Sequence, residues 1–158
     1  MSANPSREYI RGLVEGSGNF TFTSNIRKRS DGSIKKTKIP TFTIGMHIEN
    51  YDLLCKARDV MGLSNKIYTF APYTKDGYNR GRKAILTVRE IGNLKNLVVP
   101  FFYNKLIGDK SVQFEAWLSA IGKDPLVPEG FKIIYRLHRS GYYTNNTKSV
   151  RNVSRETS

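Results

Sequence analysis

Lysines and arginines gather at two places in this chain. Arg27, Lys28, Arg29, Lys35, Lys36 and Lys38 form one group, and Lys75, Arg80, Arg82 and Lys83 form the other. Ammonium and guanidinium groups at such density grip phosphate oxygens and attract polyanions from a distance. Over 158 residues, 26 Lys+Arg against 13 Asp+Glu leave a formal charge of +13. Self-repulsion of that size costs stability, so the excess points to nucleic acid or an anionic membrane surface as partner. Residues that make and break bonds are sparser. His47 and His138 lie far apart, and an isolated histidine is more often structural than catalytic. Cys55 is the sole cysteine, which excludes an internal disulfide and a cysteine zinc cluster. Gly12, Gly16 and Gly18 precede a strand instead of following one, unlike a phosphate-binding loop. No paired carboxylates mark an acid–base site, and Glu15 is the only acid between the first helix and the first strand.

The elements that must carry these groups follow from hydrophobic period. Ile10, Leu13 and Val14 share one face of a helix over 6–16, with Ser6 as N-cap and Gly16 and Gly18 as its stop. The period then changes to two. Phe20, Phe22, Ser24 and Ile26 form the buried row of a strand, and Asn19, Thr21, Thr23, Asn25 and Arg27 its polar row. Ser30-Asp-Gly-Ser33 turns the chain into a second strand over 35–48, with Phe42 and Ile44 inward. Asn50 is placed to cap a helix through Met61, stopped by Gly62. Strands over 66–73 and 82–89, joined by a polar loop over 74–81, repeat the outline. A third helical stripe, Ile91, Leu94, Leu97 and Val98, ends near Pro100. A fourth helix over 111–121 turns Phe114, Trp117, Leu118 and Ile121 to one side, and a short helix over 131–139 follows.

The reading is therefore α+β, in the order α-β-β-α-β-β-α-α, with a four-stranded antiparallel sheet covered by helices on one face. One domain over 1–143 is expected, then a flexible basic tail over 144–158. With 39% hydrophobic and 11% aromatic residues there is material for a core. The longest apolar stretch, 97–103, falls far short of the ~20 residues of a membrane helix, and basic groups at two hairpin tips of one sheet favour nucleic acid, so no membrane partner is expected. The first six residues have neither a basic nor an apolar leader, and nothing there marks secretion. The uncovered sheet face offers Asn19, Thr21, Thr23, Asn25, Arg27, Thr43, Lys66, Tyr68, Lys83 and Thr87, with Arg29 and Lys36 near the hairpin tip. Such side chains suit base edges and phosphates, and a β-ribbon fits the DNA major groove.

The run Ile10-Arg-Gly-Leu-Val-Glu-Gly-Ser-Gly18, leading straight into Asn19-Phe20, resembles the LAGLIDADG homing endonuclease family. The likeness extends over about 9–121, because the element order and the basic sheet agree with the motif. A single motif in this length resembles the homodimeric branch. The resemblance implies a two-fold dimer through the helix face of Gly12, Leu13 and Gly16, a joint saddle on double-stranded DNA, and a long pseudo-palindromic target. It further implies hydrolysis of both strands with Mg²⁺ held at the end of the motif helix, here Gly16 and Ser17. At Ser17 the family carries an acid, and a neutral hydroxyl is a far weaker magnesium ligand. Glu15 matches the earlier acidic position, which is structural in the family. Lys110 matches the basic residue near the start of the helix after the last strands, a catalytic candidate beside Ser17. Met46 stands where relatives carry a polar, water-positioning side chain, and His47 is expected on the opposite face. The departures imply reduced or lost cleavage with an intact binding face. The alternative function is a cleavage-incompetent binder such as an intron RNA maturase.

Overall fold

Helix α1 (Arg7–Ser17) starts where Ser6 Oγ accepts the Tyr9 N–H at 3.0 Å and ends where the Gly18 N–H reaches the Val14 carbonyl. The chain passes from helix to strand with no loop, and only glycine fits there: a Cβ on Gly18 would lie 3.0 Å from the Val14 carbonyl oxygen. Strand β1 (Gly18–Lys28) and strand β2 (Ile34–His47) form a long hairpin, closed by a turn with Gly32 at φ +88° and Asp31 accepting from Ser33. Helix α2 (Tyr51–Val60) leads to β3 (Tyr68–Phe70) and β4 (Lys83–Val88). The computed structural model describes residues 4–71 and 81–144, so the expected loop over 74–81, except Gly81, and the expected tail over 144–158, except Thr144, lie outside the described residues. The sheet is antiparallel throughout, in the order β1-β2-β4-β3.

Beyond the sheet come α3 (Ile91–Asn93), a π-turn (Leu94–Val98), α4 (Val99–Phe102), α5 (Asp109–Lys123) and α6 (Lys132–Arg139). Phe20 sits at the centre of the core, with ring centroids 4.8 Å from Phe114, 5.2 Å from Phe42, 5.3 Å from Trp117 and 5.5 Å from Phe102. The Trp117 indole N–H donates to the Thr21 carbonyl at 2.8 Å, tying α5 across β1. Lys132 folds back so that its ammonium donates to the carbonyls of Ile121, Gly122 and Asp124, groups the end of α5 leaves without intrahelical partners.

Several expectations are corrected. Ser24 and Ile26 are exposed, Ile26 to 65%, because the helices cover only the base of the hairpin. Asn50 makes no side-chain cap; a 3₁₀ turn over Ile48–Asn50 precedes α2, and His47 Nδ1 accepts the Glu49 N–H. Of the strand expected over 66–73, the described residues are β at Tyr68–Phe70, and 72–73 lie outside the described residues. Pro100 does not end its helix. The Val99 N–H bonds back five residues to Leu94, which widens the turn, and Pro100 then falls at the start of α4, where its missing N–H costs little.

Candidate nucleic-acid interface

Residues directly opposed across an antiparallel pair point to the same face, so the register sorts the predicted contacts. Asn19, Thr21, Thr23, Asn25 and Arg27 stand opposite Thr43, Thr41, Ile39, Thr37 and Lys35. The same outer face continues through Thr43 to Thr87, Gly45 to Ile85 and His47 to Lys83. Tyr68 and Phe70 extend it from the edge strand, opposite Ile85 and Lys83. Nine of the predicted residues are thus brought onto one surface. Lys36 is not among them: it opposes Ile26, on the helix side of the ribbon. Lys38 also faces that side, where its ammonium meets Asp124 at 3.1 Å. Arg29 lies at the exposed turn, and Lys66 precedes β3 with its ammonium 5.4 Å from the Tyr68 ring centroid.

Hydrogen bonding gives one member of this face a defined polarity. The Thr41 hydroxyl donates to the Ile39 carbonyl at 2.8 Å. Its proton is thereby spent, so in the 2.7 Å contact with Thr23 the donor is Thr23. Thr23 is left to present acceptor lone pairs outward, which suits an exocyclic amine of adenine or cytosine.

Where α1 meets the sheet, a cavity of about 500 Å³ opens. Gly16 and Ser17 enter it from the helix end, Asn19 from β1, Thr43, Met46 and His47 from β2, Lys83 from β4 and Lys110 from the first turn of α5. The structure therefore gathers Ser17 and Lys110, far apart in sequence, at one place. Met46 opposes Ala84 and packs partly against the core, whereas His47 opposes Lys83 on the outer face. His47 is on the face opposite Met46, as alternation predicts, yet both line the cavity, and His47 brings to it the polar group that Met46 lacks. Extending the Asn19–Thr43 pairing two steps along β2 would have found it. With Nδ1 accepting from Glu49, the neutral ring carries its proton on Nε2, which lies against Gly81 where any side chain would overlap it.

Glu15 has another role. Its carboxylate accepts the Ile107 N–H at 2.9 Å and the Gly108 N–H at 3.1 Å, fixing the entry to α5 and hence the base of Lys110 against the end of α1. No carboxylate lines the cavity, and no group of three or more His, Cys, Asp and Glu fit to hold a metal exists among the described residues. The donor set present, two hydroxyls, an imidazole, an amide and two ammonium groups, does not fit a magnesium ion, which requires anionic oxygen. His138 sits elsewhere, its Nδ1 2.7 Å from the Tyr103 hydroxyl and its Nε2 3.7 Å from Glu115, in a cluster where burial pushes the Tyr103 and Tyr143 hydroxyls above their ordinary range. It braces α6. On α1, Gly12 and Gly16 are exposed, and a Cβ at either would meet nothing within 4 Å. No helix among the described residues is long and apolar enough to cross a membrane.

The sequence profile of LAGLIDADG endonucleases matches residues 10–121. Among solved structures, the fold is similar to the homing endonuclease I-TnaI, with a TM-score of 0.59 and 20% identity over 92% of this chain and 82% of that one. It is also similar to I-SmaMI bound to cleaved DNA, with a TM-score of 0.55 and 24% identity over 84% of this chain and 43% of that one. I-CpaMI bound to uncleaved DNA gives a TM-score of 0.57 and 22% identity over 84% and 44%. The chain spans less than half the length of the last two. No curated protein matches it.

Proposed function

Because the chain belongs to the LAGLIDADG endonuclease family, we propose that it acts as a homodimeric, site-specific binder of double-stranded DNA whose strand-cleaving step is lost or strongly reduced. The observation that carries this reading is the contrast between its two surfaces. On the outer sheet face β1 holds a continuous row of amide, hydroxyl and cationic side chains, Asn19 to Arg27, with Thr43, Thr87 and Lys83 beyond it, suited to a groove. The cavity beside it is lined by no carboxylate among the described residues. The family is generally dependent on divalent metal, which activates water and stabilises the leaving oxygen when bound. With Ser17 at the acid's position, this chain's residues supply binding and orientation, and no hydrolytic step is assigned to them. The exposed Gly12–Gly16 face of α1 supports pairing with a second copy, since two helices without side chains at the crossing can approach closely. Two copies would join their basic sheets into one saddle and impose two-fold symmetry on the site.

The reading is tested by selecting bound duplexes from a randomised library and incubating the recovered sequence with protein and Mg²⁺. Enrichment of a pseudo-palindrome that stays unnicked, with nicking restored by Ser17→Asp or Ser17→Glu, is expected. Cutting by the unchanged chain, or no enrichment, would overturn it. One observation favours a second reading, intron RNA as partner: Tyr68 and Phe70 are 55% and 51% exposed on the sheet face, as platforms for unpaired bases are. Competition by intron RNA that exceeds competition by the selected duplex would favour it.

A further inference from the structure

We propose that the cavity at the end of α1 holds a phosphate group directly, against the Lys83 and Lys110 ammonium groups and the Ser17 hydroxyl, with no divalent cation between protein and phosphate. A carboxylate and a phosphate repel each other and can share a site only with a cation between them. Ser17 removes one of those negative partners. What remains is a hydroxyl that can donate to a phosphate oxygen, beside lysines from two different elements. Neither Lys83 nor Lys110 has an ion-pair partner among the described residues. Among the described residues their charge is thus uncompensated, which attracts phosphate and repels Mg²⁺ alike.

The site is also built rather than incidental. Lys83 is held in β4 opposite His47, and Lys110 is half-buried in the first turn of an α5 whose start is fastened to α1 by Glu15. Gly16 and Gly18 contribute no side chains to block entry. The volume, about 500 Å³, admits a phosphodiester with its flanking sugars as readily as free phosphate. The proposal rests on the DNA-binding reading for the source of the phosphate, and on the cavity alone for its chemistry.

Two probes separate those dependencies. Inorganic phosphate titrated into the ¹⁵N-labelled protein at matched ionic strength should shift the Ser17, Asn19 and Lys110 amides. Duplex affinity, measured by anisotropy, should be the same in EDTA and in Ca²⁺ for the unchanged chain. Ser17→Asp should bind about tenfold more weakly in EDTA and recover in Ca²⁺, because it restores the need for a bridging cation. Lys110→Gln, checked for an unchanged melting temperature, should flatten the salt dependence by about one unit of slope for each phosphate the lysine neutralises. Several-fold tightening of the unchanged chain by Ca²⁺ would overturn the proposal, as would duplex binding with no phosphate-induced shift at those amides. Phosphate shifts in a protein that ignores duplex DNA would uphold the site and remove the DNA reading instead.

Discussion

Replacing Glu15 by alanine separates a structural acid from a metal ligand. The carboxylate accepts the Ile107 and Gly108 N–H groups at 2.9 and 3.1 Å. Hydrogen bonds to a charged group contribute about 1.5–3 kcal/mol each when protected. Glu15 is only half-buried, and water replaces part of each bond in the variant. The loss should therefore total about 2 kcal/mol, less than the protected sum. With a urea slope of about 2 kcal/mol/M, the unfolding midpoint should fall by about 1 M. Glu15→Gln can set its carbonyl oxygen where Oε2 accepts both N–H groups, 2.9 Å from Ile107 and 3.3 Å from Gly108, so it should lose less than Glu15→Ala. Both shifts should be the same in EDTA and in Ca²⁺. Duplex binding should also weaken, because the loop that seats Lys110 is released. An unchanged midpoint in EDTA, or a stabilisation by Ca²⁺ that disappears in Glu15→Ala, would refute this assignment and make Glu15 a ligand.

Other perturbations reach different links. Gly12→Leu adds a side chain where a Cβ meets nothing within 4 Å among the described residues, so monomer unfolding should change little while sedimentation shows loss of the proposed dimer. Lys35→Ala should flatten the salt dependence of duplex binding by about one unit and Lys36→Ala should not, because only Lys35 shares the outer face with Arg27. Asp124 is held below the usual carboxylate range by the Leu126 N–H and by Lys38. A depressed folded-state value means that its contribution is complete above the unfolded value and is lost as pH falls through the folded one. Asp124→Asn should therefore be less stable at neutral pH, and urea titrations should show the gap closing as pH falls below about 4.

Local signals in the sequence carried far. Ser6, the alternation through β1 and Gly62 at φ +82° each mark an element end or face by a short-range rule, and the structure follows them. Discrepancies arise where a distant element decides. Ile26 has the parity of a core residue but no helix above it, a fact that depends on where α5 ends. Pro100 stays inside its helix because a π-turn before it absorbs the missing donor, and nothing in the residue types announces that turn. The meeting of Ser17 with Lys110 depends on Glu15 reaching across to residues 107 and 108, a contact without sequence periodicity. His47 was legible in principle, since register alone puts it beside Lys83.

The hairpin also acts as a ruler. Its eleven paired positions, Gly18 to Lys28 against Ile44 to Ile34, advance about 3.3 Å each, or roughly 36 Å in all. One turn of duplex is about 34–36 Å. In the proposed complex each copy would survey about one turn, some ten base pairs, before the groove rotates away from the ribbon. Because side chains alternate faces, the ruler shortens only in steps of two. Removing two residues from each strand near the tip should retract the protected footprint by about two base pairs at each end, while removing one should invert the reading face beyond the deletion.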